Sequence, residues 1–174
     1  MIPTSSDMST TDDSAGKLPK SNFLGGLAWE SIRSGTIASL IMMPFGLLFR
    51  MLDLRIGHYG KKLIEVMFGE LPLALFRTLV LSEHFIIGWL STAPLLLLLI
   101  HFGQRLSIWI IGTLYGVAYY VAINSLFLPW CFDELTPWQL GIHAVYPSLI
   151  VHLVFGLSIV WTSRRFVEEI QRAK

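Results

Sequence analysis

The chain has 174 residues, of which 53% are hydrophobic and 14% charged, and its mean hydropathy is +0.61. These values are typical of a small polytopic membrane protein and exclude an ordinary water-soluble domain. A net charge of +1 without a dense basic stripe argues against a nucleic-acid partner. Cys131 is the sole cysteine in the sequence, so one chain can form neither an internal disulfide nor a cysteine-based metal cluster.

The N-terminal segment, residues 1–22, is rich in Ser, Thr and Asp and contains no apolar run. A segment of this composition cannot offset the entropy lost on ordering, so it is predicted to be a disordered tail. It also lacks the pattern of a removable signal peptide. A transmembrane domain is predicted over residues 23–166, followed by a short charged tail over residues 167–174.

The first predicted membrane helix spans about residues 27–49. Glu30 and Arg33 lie one turn apart near its start, where they can pair with each other or reach the lipid headgroups. The connector that follows, about residues 50–79, mixes charged side chains with apolar ones at helical spacing. This pattern favours an amphipathic helix at the membrane interface, with a packed connecting loop as the alternative.

The second predicted helix spans about residues 80–101 and carries Glu83 and His84 near its beginning. Pro72 is well placed as the first residue of a longer helix whose opening turns lie at the interface. The third and fourth predicted helices, residues 106–128 and 141–162, contain no Asp, Glu, Lys or Arg. About 20 helical residues cross the hydrocarbon, so the chain is predicted to be all-α with four transmembrane helices in a small bundle.

Four spans place both termini on one side of the membrane. That side carries seven basic residues against five on the other, and the loop between the third and fourth helices has acidic residues but no basic one. Because Lys and Arg favour the cytoplasmic side, both termini are predicted to be cytoplasmic. The two sets are Lys17, Lys20, Arg105, Arg164, Arg165, Arg172 and Lys174 against Arg50, Arg55, Lys61, Lys62 and Arg77.

Short matches between the two helical hairpins suggest an internal duplication. A Gly-Thr pair occurs in the first and third helices, and a His-x-x-x-Gly element occurs in the second and fourth. Since each hairpin crosses the membrane twice, the two copies would form a parallel repeat. The matched elements are Gly35-Thr36 with Gly112-Thr113, and His84 to Gly88 with His152 to Gly156.

Small residues recur at four-residue spacing in each predicted helix. Hydrocarbon gives no hydrophobic drive between helices, so such residues are expected where two backbones approach closely. Both histidines of the repeated element fall on these stripes and are predicted to face a neighbouring helix. The predicted packing residues are Ser31, Gly35, Ser39, Gly88, Gly112, Gly116 and Gly156.

Three hypotheses describe His84 and His152. Each imidazole can hydrogen-bond across a tight helix interface. The two can join Glu83 and Asn124 in an intramembrane polar site for protons or a small solute. They can also be the axial ligands of a haem, with the small residues beside them making room for the macrocycle, although His152 lies mid-span and His84 nearer one end. No zinc-ligand spacing connects the histidines, so no metal site is predicted.

Gly25-Gly26 and Gly35 lie in the opening part of the first helix, and the amphipathic connector, the two His-x-x-x-Gly elements, Gly112 and Gly116 follow. With these residues the chain resembles the bacterial YagU-like group and related small four-helix membrane domains of unknown function. The resemblance covers about residues 24–166 and is closest over residues 140–166, where an aromatic- and Pro-flanked loop leads into the His-Leu-Val helix and then Arg-Arg. It implies a bacterial inner-membrane location and an activity that is unassigned, and the long N-terminal segment departs from the family's compact pattern.

The sequence contains no catalytic motif, and we expect the protein not to be an enzyme. The favoured hypothesis is a non-catalytic accessory or structural component of a membrane assembly, in which lipid, other copies of the chain or a larger complex are the partners. An oligomeric transporter or channel subunit is the first alternative, and a haem-binding redox subunit is the second. No cofactor is predicted under the favoured hypothesis.

Overall fold

The computed structural model describes residues 20–54 and 59–173, and within those ranges it contains helices and loops but no strand. Side chains are described from Phe23 to Leu54 and from Gly60 to Ala173. The elements are α1 (Lys20–Met51), α2 (Tyr59–Phe68), α3 (Leu73–Phe102), α4 (Ile108–Tyr120), a π-helical segment (Val121–Phe127), α5 (Leu128–Phe132), α6 (Pro137–Leu140) and α7 (Ile142–Arg172).

Four helical stretches within the described residues are long and apolar enough to cross a membrane. They are Phe23–Met51, Leu73–Phe102, Ile108–Phe132 and Ile142–Arg172. The prediction of an all-α, four-span membrane protein is therefore confirmed. Each stretch is longer than predicted because helical hydrogen bonds continue beyond the apolar run into residues at the interface.

The boundaries at the two ends differ from the predicted ones. The last three residues of the predicted N-terminal tail begin α1, and residues 1–19 lie outside the described part of the chain. The predicted C-terminal tail continues α7 as far as Arg172. Ion pairs from Glu168 to Arg164 and Arg172, each one turn away, support this charged end of the helix.

The bundle is arranged around α7, which packs against α1, α3 and α4. The core lies between these helices and is built from aliphatic side chains, which include Leu95, Leu96 and Leu99 of α3 and Ile159 and Val160 of α7. The short helix α2 packs on the first half of α3, where its Gly60 and Ile64 are buried. The predicted amphipathic connector is thus helical over part of its length.

Single side-chain hydrogen bonds join neighbouring helices at several levels. Each uses a carbonyl or a side-chain oxygen as acceptor, and in an apolar bundle such bonds add to van der Waals packing. They are Arg33 to the Thr162 carbonyl (2.6 Å), the Trp89 indole to the Thr36 hydroxyl (2.8 Å), Tyr115 to the Ser91 carbonyl, Ser148 to Asn124 (3.4 Å) and Gln171 to the Leu99 carbonyl (2.9 Å).

Glycines bring the helices of each hairpin into backbone contact. In the first hairpin a methyl group built on Gly35 would lie 2.9 Å from the carbonyl oxygen of Gly88. In the second, a methyl group built on Gly112 would lie 3.2 Å from the carbonyl oxygen of Gly156. The two glycines that meet in one hairpin are the sequence counterparts of the two that meet in the other, and the duplication itself stays a prediction.

The third span changes its winding in its second half. Residues Val121–Phe127 form a π-helix, in which the Leu128 amide donates to the carbonyl five residues back, at Ile123. Pro129 follows directly; it has no N–H, and its ring crowds the carbonyl four residues earlier. A locally wider turn relieves that crowding, and within the π-helix it places Asn124 in the interior.

Candidate functional site

A charged cluster joins α1 to α7 near the chain termini. Glu30 is 5% exposed, and its two carboxylate oxygens accept hydrogen bonds from Arg33 at 2.6 and 2.9 Å. Ser34, one turn later and fully buried, donates to the same carboxylate at 2.6 Å. Arg33 also donates to the Thr162 carbonyl of α7. This network stabilises a charge inside an apolar bundle and fixes the two helices against each other.

A second, uncharged cluster lies between the π-helical segment and α7. Ser148 donates to the Asn124 side-chain oxygen at 3.4 Å, and the Ser148 carbonyl lies 2.7 Å from Nδ1 of His152. The Asn124 amide group donates to the Tyr120 carbonyl at 3.3 Å. The Tyr120 ring meets the His152 ring edge to face, with centroids 5.7 Å apart. Two of the four predicted polar-site residues, Asn124 and His152, thus belong to one cluster.

The other two predicted residues, Glu83 and His84, lie on α3. The Glu83 carboxylate is pressed against α2, so close to Gly60 that a methyl group there would overlap it. The His84 side chain is half-buried, and its ring packs edge to face on Phe85, with centroids 5.9 Å apart. Glycine at position 60 therefore allows α2 to approach the carboxylate.

The two histidines lie at similar depths in the bundle. Helices α3 and α7 run in the same direction, and the Gln171 side chain lies against Gly103, 68 positions earlier in the chain. Since His84 and His152 are also 68 positions apart, neighbouring parallel helices carry them at about the same level. His84 lies near the start of its apolar run, but α3 begins well before that run, at Leu73. The position of His84 within α3 is therefore similar to that of His152 within α7.

The small residues beside the histidines are occupied by neighbouring helices. Gly88 meets the Ser39 side chain, and Gly156 meets the Gly112 carbonyl. A methyl group on Gly116 would lie 2.8 Å from the His152 carbonyl oxygen. These contacts use the space that the haem hypothesis assigned to the macrocycle. In the described part of the chain, no three His, Cys, Asp or Glu side chains are grouped closely enough to hold a metal ion.

The predicted packing residues are buried, and several meet a neighbouring helix as described above. Sequence reasoning missed Ser34 and the Thr162 carbonyl. Ser34 had a usable signal, because it lies four residues after Glu30 on the same helical face. For Tyr120, together with Tyr115 and Tyr119, the sequence allows the lining of a pocket inside the third span, and bundle packing is the favoured interpretation.

Among the described residues, a groove and a pocket lie at the surface of the bundle. The groove, of about 660 Å³, lies on the outward face of the π-helical segment, and the pocket, of about 150 Å³, lies between the ends of α3 and α7 nearest the chain termini. The groove is lined by Ala122, Ser125, Leu126, Phe127, Pro129 and Trp130. The pocket includes Gly103, Arg164, Glu168 and Gln171.

Fold and contacts together define the class: an integral membrane protein whose four spanning helices form a bundle with polar clusters at two levels. Comparisons of the chain with protein-family models, with curated proteins and with solved structures found no match.

Proposed function

We propose that the protein is a non-catalytic structural or accessory component of a membrane assembly. The observation that carries the proposal is the direct backbone contact inside both hairpins, Gly35 with Gly88 and Gly112 with Gly156. These contacts bring the two helices of each hairpin together at close backbone distance. A closely packed bundle suits a helix-docking role better than it suits conduction through a single chain.

The lipid-facing surface supports the same proposal. Large apolar side chains are exposed along all four spans, and Trp130 is 86% exposed beside the groove on the third span. In a bilayer these side chains contact lipid or the helices of partners. The small-residue stripes, in contrast, are used within the chain, so a partner would meet larger side chains.

A direct test is the mass of the protein in native membranes. We expect particles extracted with their surrounding lipid by a styrene–maleic copolymer to exceed the mass of one 19.7 kDa chain plus lipid. A cysteine-reactive crosslinker should then join Cys131, which is exposed, to the same partner, and a Cys131→Ser variant should give no adduct. Particles that contain one chain and no other protein at every expression level would contradict the proposal.

The alternative function is an oligomeric transporter or channel subunit. The uncharged cluster of Asn124, Ser148 and His152 favours it, because polar side chains inside a membrane bundle commonly mark a solute path. We expect His84→Ala or His152→Ala to change proton or solute flux in proteoliposomes. His101→Ala is the matched control, since His101 is exposed at the end of α3. Unchanged flux in both test variants would remove the support for this function.

Two further proposals are haem binding and the bacterial inner-membrane location that the YagU-like resemblance implies, and each has its own test. A Soret band in protein purified from haem-replete cells, lost on substitution of either histidine, would support haem binding, and colourless protein would contradict it. The resemblance proposes a bacterial inner membrane as the location. Fractionation of inner and outer membranes tests that location directly.

A further inference from the structure

The Tyr120 hydroxyl is enclosed in the bundle at the junction of α4 and the π-helical segment. The residue is 1% exposed. Among the residues that the structure describes, none donates a hydrogen bond to this hydroxyl or accepts one from it. Buried hydroxyls in folded proteins nearly always have a partner, so this group indicates a bound molecule.

Aromatic rings and polar groups surround Tyr120. Its ring lies edge to face between His152 of α7 and Trp138 of α6, with centroid distances of 5.7 and 6.3 Å. Asn124 makes hydrogen bonds of 3.3 and 3.4 Å, longer than the usual 2.9–3.0 Å. An amide with two long bonds retains capacity for a further donor or acceptor.

The chemistry of these groups selects a small, uncharged ligand. The cluster offers a phenol, an amide, a serine hydroxyl and an imidazole, and it includes no carboxylate, ammonium or guanidinium group. A buried water needs two to four polar partners and a space of about 10–15 Å³ for its centre. The π-helix matters because its wider turn directs Asn124 inward at the level where Tyr120 ends α4.

We propose that the Tyr120 hydroxyl binds an internal water molecule, for which the polar side chains of Asn124 and of the adjoining part of α7 are the candidate further partners. The site is independent of the proposed accessory role. It would give the bundle one hydrated position next to the π-helix.

Radiolytic footprinting of the wild-type protein in detergent tests the proposal. Radicals generated from a bound water oxidise an adjacent tyrosine even where bulk solvent is excluded. We expect Tyr120 to be oxidised clearly more than Phe155, which is also buried in the core, and to take up ¹⁸O slowly after mixing with labelled water. Replacing Asn124 with Leu should reduce this oxidation. Oxidation of Tyr120 no greater than that of Phe155 in the folded wild type would overturn the proposal.

The direction in which Tyr120→Phe changes the stability of the protein is an independent test of the bound water. Removing a hydroxyl that is bonded to water destabilises the protein, whereas removing one with no partner stabilises it. We expect the melting temperature to fall by about 2–4 °C, as for loss of one hydrogen bond in a chain of this length. Tyr115→Phe is the matched comparison, because Tyr115 donates to the Ser91 carbonyl. A Tyr120→Phe protein that melts at or above the wild-type temperature would overturn the proposal.

Discussion

At the scale of single residues, the Glu30 carboxylate shows how an ion pair holds this bundle together. Arg33 covers both of its oxygens and continues to the Thr162 carbonyl of α7. Replacing Arg33 with Leu would leave a buried carboxylate with Ser34 as its remaining described partner. We expect this change to lower the free energy of unfolding by about 1–3 kcal/mol, measured by SDS titration in mixed micelles.

A double variant separates the ion pair from the packing of its side chains. Glu30→Leu combined with Arg33→Leu removes both charges and keeps apolar volume, so it should be more stable than Arg33→Leu alone. Lys61→Leu is a suitable surface control, because Lys61 and Glu65 are both well exposed and 3.8 Å apart. A single Arg33→Leu variant as stable as the wild type would show that the carboxylate does not depend on its partner.

Single residues also show which contacts can be predicted from the sequence and which cannot. The spacing of Glu30 and Arg33 predicted that they could pair, because residues three apart share a helical face. The Thr162 carbonyl could not be predicted, since every residue has a carbonyl and only the tertiary packing selects one. The same holds for Tyr115 with the Ser91 carbonyl.

At the scale of elements, the glycine contacts determine how closely the helices of each hairpin approach. A methyl group on Gly156 would meet the Gly112 carbonyl and lie 3.3 Å from the Gly116 nitrogen, both of them backbone atoms that cannot rotate away. We therefore expect Gly156→Ala to lower the free energy of unfolding by about 1–3 kcal/mol. The SDS titration is again the measurement.

Two matched glycines test this explanation. A methyl group on Gly88 would meet the Ser39 hydroxyl, the end of a side chain that can rotate, so Gly88→Ala should cost less than Gly156→Ala. Gly46 has open space around it, and Gly46→Ala should be neutral or slightly stabilising, because Ala favours the helix. An equal effect at all three positions would contradict a role for backbone contact.

Among the helical elements, the apolar pattern of the sequence predicts some features and not others. Long apolar runs predicted the four spans because the hydrocarbon demands about 20 such residues. The π-helical segment was not predicted, since its cause is a single proline, Pro129, that could equally have ended the helix. Consequently Asn124 was predicted as an intramembrane polar residue, but its contact with Ser148 was not.

At the scale of the whole molecule, the bundle has two chemically distinct ends. One end holds the start of α1, the α3–α4 connection and the end of α7, where Gly26 lies against Phe166 and Gln104 reaches the Gln171 carbonyl. The other end holds α6 and Cys131. The sequence assigns more basic residues to the side of the first end, and this asymmetry predicts that it faces the cytoplasm.

The orientation can be measured with an impermeant maleimide. We expect Cys131 to react in intact cells whose outer barrier has been opened, because the short α5–α6 connection would lie on the exterior side. In a Cys131→Ser background, Ala173→Cys at the exposed end of α7 should react only after the membrane itself is permeabilised.

The positive-inside rule acts through basic residues alone, and the margin here is seven against five. Exchanging Arg164 and Arg165 for Gln should therefore weaken the orientation and make a fraction of the Ala173→Cys chains reactive from outside. Reaction of position 173 in intact cells without these changes would reverse the predicted topology.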